Sequence, residues 1–351
     1  MKFLILAQGL LKTLSMLKTN LYITIFTALF LTGSIAQPVG AATQASYLYR
    51  LSDFSGPVPS LWAKVDVSKG DDEVYTLNIN KGLMQIFNGT AMQVQGSGEG
   101  YGLASATDLA VGEEGEVFVL FGRRTGHELL HLDFRCAPLG EYGLTGIPAE
   151  YLPFEATFID YREGSLYLAD SQSMRVLEVS PQGEFRSGFD LKAALQGGTR
   201  EALNDPALTE AKRERIRKEM ENLDSAGLGG FSVDERTNMY FTVPTLFIAC
   251  RVSADGKLES FGTSGGARGK FGVVAGIESD ESGNIYIADR LRCVVLIFDR
   301  DFNFQTEFGY RGPSRHNLVV PDDLAVDAGS GKVYVSQAAN LGISVFQVHL
   351  K

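Results

Sequence analysis

The stretch Gly283-Asn284-Ile285-Tyr286-Ile287-Ala288-Asp289, followed by the apolar run from Cys293 to Asp299, decides the architecture of this chain. A first apolar strand around Gly276-Ile277 leads into an acid- or glycine-containing turn. A second strand carries a central aromatic, and a polar loop delivers the chain to a third. The same order recurs in Gly164-Ser165-Leu166-Tyr167-Leu168-Ala169-Asp170, then Met174 to Val179 and Pro181-Gln182-Gly183. The aromatic falls at Tyr75, Phe118, Tyr167, Tyr240, Tyr286 and Tyr334, at intervals of 43, 49, 73, 46 and 48 residues.

Five intervals define six units, and about 40–50 residues is the length a four-stranded propeller blade requires. The expected fold class is all-β: a six-bladed β-propeller of four-stranded blades, with a helical insertion between blades 3 and 4. The sixth unit ends one strand short, after Ile343 to Val348. Tyr47-Leu48-Tyr49-Arg50-Leu51, near the other end of the chain, is a strand with no blade of its own. Pairing the two would cover both exposed edges and close the ring. The segments "GNIYIADR…VVLIFD" and "LYLADSQSMRVLEVSPQG" resemble NHL repeats, and the resemblance spans about residues 47–349. The Asn-His-Arg triplet of that family is replaced here by Ser173-Met174-Arg175 and by Arg292-Cys293-Val294. The resemblance implies an interaction platform in place of an enzyme. By analogy with bacterial members alone, an exported redox protein is one partner it suggests.

The long interval holds residues 191–225. Asp205-Pro206 is a helix start, with an acid to cap and a proline at the first helical position. Glu214–Lys218 and Arg217–Glu221 pair at i,i+4 spacing, and Ile216, Met220 and Leu223 share a narrow stripe. Leu191 to Gln196 reads as a shorter helix ending before Gly197-Gly198. A helical hairpin lying on the propeller is expected.

Composition agrees with a β-rich globular chain: 44% hydrophobic, 21% charged, 39 glycines for turns and 22 phenylalanines for pleated surfaces in 351 residues. At the amino end, Leu21 to Ala36 is uncharged and largely apolar, preceded by Lys18 and followed by the small residues Gly40, Ala41 and Ala42. It is short for a spanning helix and has the layout of a secretory signal. The expected organisation is a signal at 1–42, with translation starting at Met16 or with a long leading region, and a single propeller over 43–351. Export to the periplasm or beyond the cell follows, with no stable membrane span after processing. Leu31-Thr32-Gly33-Ser34 lacks the cysteine that lipid anchoring would need. Losing Lys2, Lys12 and Lys18 with the signal takes the net charge from −10 to −13, which disfavours nucleic acid as a partner.

Connections between second and third strands, and from fourth strands to the next blade, leave a propeller on one face. Arg123, Arg124, Arg268, Lys270, Arg290, Arg292, Arg311, Arg315 and His316 all fall in such connections. They form a candidate binding face for an anionic ligand or an exported protein, unless neighbouring carboxylates neutralise them. Asp108 and Asp323 begin first strands, which line the central channel, and could approach a calcium ion. The matching positions, read as Thr157, Gly230 and Gly276, offer one hydroxyl, a poor cage for a cation wanting six to eight oxygens. Capping of strand starts by solvated acids is the alternative. The second function considered is therefore a metal-dependent lactonase- or lyase-like enzyme with its site in the channel. Asp170 and Asp289 read as local anchors of the loops that follow them. His127 and His131, four apart on one expected strand, would stand about 13 Å apart, too far to share zinc. Cys250 and Cys293, expected on third strands of neighbouring blades, are expected unbridged.

Overall fold

The computed structural model describes residues 44–51, 63–68, 72–79, 81–98, 100–122, 126–203, 209–338 and 342–350. The expected signal segment, Arg123, Arg124 and Asp205-Pro206 lie outside them. Six antiparallel four-stranded sheets form the blades. Blade 1 is β2 (Lys64–Val67), β3 (Glu73–Asn78), β4 (Leu83–Asn88) and β5 (Ala91–Gly96). Blade 2 is β6 (Asp108–Val111), β7 (Val117–Leu120), β8 (Leu129–Leu132) and β9 (Pro138–Tyr142). Blade 3 is β10 (Phe158–Arg162), β11 (Ser165–Asp170), β12 (Arg175–Val179) and β13 (Phe185–Asp190). Blade 4 is β14 (Gly230–Val233), β15 (Met239–Val243), β16 (Ile248–Val252) and β17 (Leu258–Phe261). Blade 5 is β18 (Val274–Ser279), β19 (Ile285–Asp289), β20 (Val294–Phe298) and β21 (Phe304–Gly309). Blade 6 is β22 (Pro321–Asp327), β23 (Lys332–Gln337), β24 (Ile343–His349) and, as its outer strand, β1 (Gln44–Leu51). First strands contact one another in order around an axis, and β22 returns to β2, so the ring is closed.

Closure follows the expected pairing. β1 runs antiparallel to β24, from Gln44 opposite His349 to Leu51 opposite Ile343. The blades stack because their middle strands are apolar on both faces: Ile285–Asp289 and Val294–Phe298 are buried throughout. Strands of this kind show no alternation because a neighbouring blade covers each face. The cores accordingly sit in the seams, Tyr75 and Met84 against Leu109 and Val119, for example, or Tyr240 and Ala249 against Ile285 and Ile287.

The repeated aromatic is buried in all its copies but Tyr167, which is half-buried. Its usual identity as tyrosine has a cause: Tyr240 and Tyr286 donate their hydroxyls to Asp234 (3.2 Å) and Asp280 (3.1 Å) in the hairpin before it, and Tyr75 to Glu73 (2.8 Å). Phe118 lacks the hydroxyl and instead stacks on His131, with ring centroids 4.4 Å apart. His131 lies on β8 while His127 precedes that strand and faces Glu141 at 3.3 Å, so the two share no strand.

The loop-anchoring acids behave as expected. Asp170 Oδ1 accepts the N–H groups of Gln172 and Ser173, and Asp289 Oδ1 those of Leu291 and Arg292. Each also reaches back to the segment entering its own blade, Asp170 to Glu155 N–H and Asp289 to Gly272 N–H. The loops then turn through Met174 and Cys293, both in the left-handed region (φ 55° and 56°). Cys293 therefore sits in the turn before β20 and not on a third strand. All three cysteines are free and buried, and burial pushes the Cys136 thiol up to about 11 and the Cys250 thiol further.

The insertion folds as two helices, α1 (Leu191–Leu203) and α2 (Glu210–Asp224). Gly197-Gly198 does not end α1, which runs on to Leu203, more than a turn beyond it. Helix propensity costs about 1 kcal/mol per glycine, an amount that packing elsewhere on the helix can override. Leu191, Leu195 and Leu223 are buried together with Met174, Phe241 and Cys250, so the hairpin covers the seam between blades 3 and 4.

Candidate functional site

The axial channel is built by one strand position repeated six times. In register opposite the repeat aromatics stand Asp66, Ala110, Asp160, Ser232, Glu278 and Ala325. Two residues earlier, on the same strand face, stand Lys64, Asp108, Phe158, Gly230, Gly276 and Asp323. The position matching Asp108 is thus Phe158, not Thr157 as the sequence reading had it. Counting from the aromatics places two rungs of side chains around the axis, one above the other.

These rungs are polar because they fasten the blades to one another. Carboxylates on one first strand accept backbone N–H groups from the next blade. Asp323 Oδ2 takes Val65 (3.0 Å), Asp66 Oδ2 takes Val111 (2.8 Å), Asp108 Oδ2 takes Ile159 (3.1 Å) and Asp160 Oδ2 takes Val233 (2.6 Å). From blade 6 round to blade 4 the accepting carboxylates alternate between the rungs. Blades 4 and 5 carry glycine instead. A Cβ on Gly230 would fall 2.5 Å from the Ala275 carbonyl, and one on Gly276 would fall 2.6 Å from that of Asp322. Thr242 Oγ1 donates to the Ala275 carbonyl (2.7 Å), and Arg290 pairs with Asp322 across the last seam.

Asp108 is therefore a buried acceptor and Asp323 a half-buried one, each bonded to the next blade. The group facing both is the Lys64 ammonium, 3.8 Å from Asp108 Oδ1, and the two carboxylates hold its pKa above the usual lysine value despite its burial. Among the described residues no three His, Cys, Asp or Glu side chains are arranged to hold a metal ion. On the deeper rung Asp160 pairs with Arg162 (2.8 Å), whose other arm reaches Glu278 at 3.7 Å.

More acids than bases share this floor. Burial pushes Asp66 up to about 7, helped by Asp160 beside it. Burial, opposed by Lys64 and helped by Asp323, puts Asp108 at about 7 too. Glu278 rises to about 8, again by burial and by Asp160, and Asp323 is raised by burial. The unfolded chain releases these protons near pH 4, whereas the folded protein holds them to about pH 7–8. The folded state thus binds more protons across that window, and stability falls as pH rises through it, by up to about 1.4 kcal/mol per pH unit per group. Thermal midpoints should fall from pH 5 to about 8 and level off above it, and fall less for Glu278→Gln. A flat profile would show that the floor acids are ionised throughout.

Above the rungs the channel widens into a funnel of about 1510 Å³. Its walls include Leu152, Phe154, Phe158, Phe231 and Pro244, with Lys64, Asp66, Glu278 and Arg290 lower down. Most wall residues come from the connections of one face, the face carrying the expected basic residues. Those residues divide into two groups. Arg292 is pinned by Glu307 through two bonds of 2.9 and 2.7 Å, and Arg290 by Asp322. Arg268, Lys270, Arg311, Arg315 and His316 are exposed. Sequence reasoning missed Lys64, Asp66, Asp160, Arg162 and Glu278. The available signal was a charged residue opposite each of three repeat aromatics.

No family model matches the chain, and no curated protein matches it. Among solved structures it is similar to virginiamycin B lyase from Staphylococcus aureus, with a TM-score of 0.55 at 10% identity over 88% of this chain and 100% of that one. A streptogramin B lyase gives 0.53 at 13% identity over 88% and 97%. A structural-genomics protein of unknown function from Bacteroides thetaiotaomicron gives 0.55 at 15% identity over 88% and 76%. The likeness is one of fold. This chain is a six-bladed β-propeller, and its site must be argued from its own residues.

Proposed function

We propose that this chain is an exported binding propeller of the NHL kind, whose partner docks on the loop face over the channel mouth. One observation carries the reading. Of the exposed large apolar side chains among the described residues, Leu152, Phe247, Leu291 and Tyr310 sit on connections of this one face, with Leu291 68% exposed. The others, Leu48, Met92, Phe134 and Leu139, are on outer strands or on the turn before β9. Apolar residues among exposed arginines are the composition of interface hot spots. Arg268, Lys270, Arg311 and Arg315 supply the cations, while Arg290 and Arg292 hold the scaffold. Export rests on the amino-terminal apolar run, and amino-terminal sequencing of the secreted protein tests it, with cleavage expected near Ala42.

Substituting Leu291→Asp together with Tyr310→Ala should weaken capture of the native partner from the exported fraction at least about tenfold, with the melting temperature unchanged. Capture at wild-type strength by that double variant would place the site elsewhere.

A further inference from the structure

The funnel floor collects more negative charge than its own cations balance. Lys64 and Asp66 reach it from β2, Asp108 from β6, Asp160 and Arg162 from β10, Glu278 from β18, and Asp322 and Asp323 from β22. Arg290 enters from the β19–β20 connection. Six carboxylates meet three cations. Backbone N–H groups and Arg290 relieve those at the seams, but among the described residues Glu278 meets its neighbour's Ser279 N–H (3.0 Å) and the more distant arm of Arg162. An independent feature lies on the same rung. Ser232, 1% exposed at the position matching Asp66, Asp160 and Glu278, has a hydroxyl buried behind the funnel surface with no hydrogen-bond partner among the described residues. An acceptor-rich hole thus lies beneath apolar walls. Phe158 in that wall already holds an ammonium, that of Lys64, 5.5 Å from its ring.

We propose that the funnel admits an organic cation, a primary ammonium on an apolar body, with the ammonium seated between Asp66 and Glu278 and the body against Phe158 and Phe231. The proposal rests on the reading of this face as the binding face. It names what enters the channel, either a free amine or the side chain of a docked partner. An ammonium suits the rung because it carries three donors for acceptors that stand apart. An anion would meet the whole acidic floor.

Calorimetry with three probes of one shape tests this: 4-phenylbutylamine, 4-phenylbutanol and 4-phenylbutyrate. At pH 8.5 the amine should bind at least about tenfold more tightly than the alcohol, and the carboxylate more weakly still. Because seating the ammonium drives protons off the floor acids, its affinity should rise from pH 6 to pH 8.5. Binding should also release protons, seen as an enthalpy that depends on the buffer. Glu278→Gln should lose most of the preference and its pH dependence. Lys64→Met, which removes a competing cation, should strengthen amine binding, a direction that mere structural damage does not give. Equal binding of all three probes overturns the charge assignment but leaves the funnel as a site. Binding of none overturns the inference outright, while the docking face is judged separately by the Leu291 and Tyr310 variant.

Discussion

Removing β1 should destabilise the propeller by at least about 4 kcal/mol and leave it prone to self-association. Seven residue pairs join β1 to β24, from Gln44–His349 to Leu51–Ile343. Leu51 is 2% exposed, and Tyr47 sets its ring edge-on to Phe346 at 5.7 Å. Burial of one leucine stabilises by about 1.5–3 kcal/mol, and the aromatic contact and covered partners add to it. Without β1 the strand Ile343–His349 becomes an edge that carries the buried Ile343, Val345 and Phe346. Such an edge invites strand addition from another copy. Denaturant unfolding and light scattering of the truncated protein measure both effects. Adding a synthetic peptide of residues 44–51 should restore the lost stability. A truncation that melts like the intact protein would show that the ring does not depend on this strand.

The parts of this structure that sequence could reach are those a periodic signal encodes. Six aromatics at blade-length intervals fix the blade count, and the loop-anchoring role of Asp170 and Asp289 follows from their place after the second strand. Closure by residues 47–51 follows from one strand too few at one end and one too many at the other. The channel was harder because β2, β6 and β14 are four residues each, too short to show a period. Their register appears only against the aromatic of the next strand, and without it Asp108 is matched to Thr157, one position before Phe158. The basic face misleads for another reason. Charge is legible in a sequence but pairing is not, and Arg292 meets Glu307 only because β20 and β21 are hydrogen-bonded neighbours. Gly197-Gly198 reads as a break because propensity is local, whereas the leucines that hold α1 in place belong to the seam.

Replacing Asp160 with alanine should cost about 3–5 kcal/mol, more than any other single change on the rungs. One carboxylate does three things there. Its Oδ2 accepts Val233 N–H from blade 4 at 2.6 Å, and its Oδ1 accepts Tyr161 N–H at 2.7 Å and meets Arg162 at 2.8 Å. Alanine strips the seam of that acceptor and leaves a largely buried guanidinium with Glu278 at 3.7 Å, an under-compensated charge. Asparagine keeps an acceptor for Val233 but cannot balance Arg162, so it should lose a smaller amount, about 1–3 kcal/mol. The pair should couple: Arg162→Met added to Asp160→Ala should cost less than the two changes separately, since each alone strands the other's charge. The pH profile gives a readout that packing alone would not move. Asp160 is the neighbouring charge that raises both Asp66 and Glu278, so without it both ionise at lower pH. The decline in stability above pH 5 should then level off earlier than in the intact protein. A loss below about 1 kcal/mol for Asp160→Ala, with an unchanged pH profile, would mean that the deeper rung does not join blades 3 and 4.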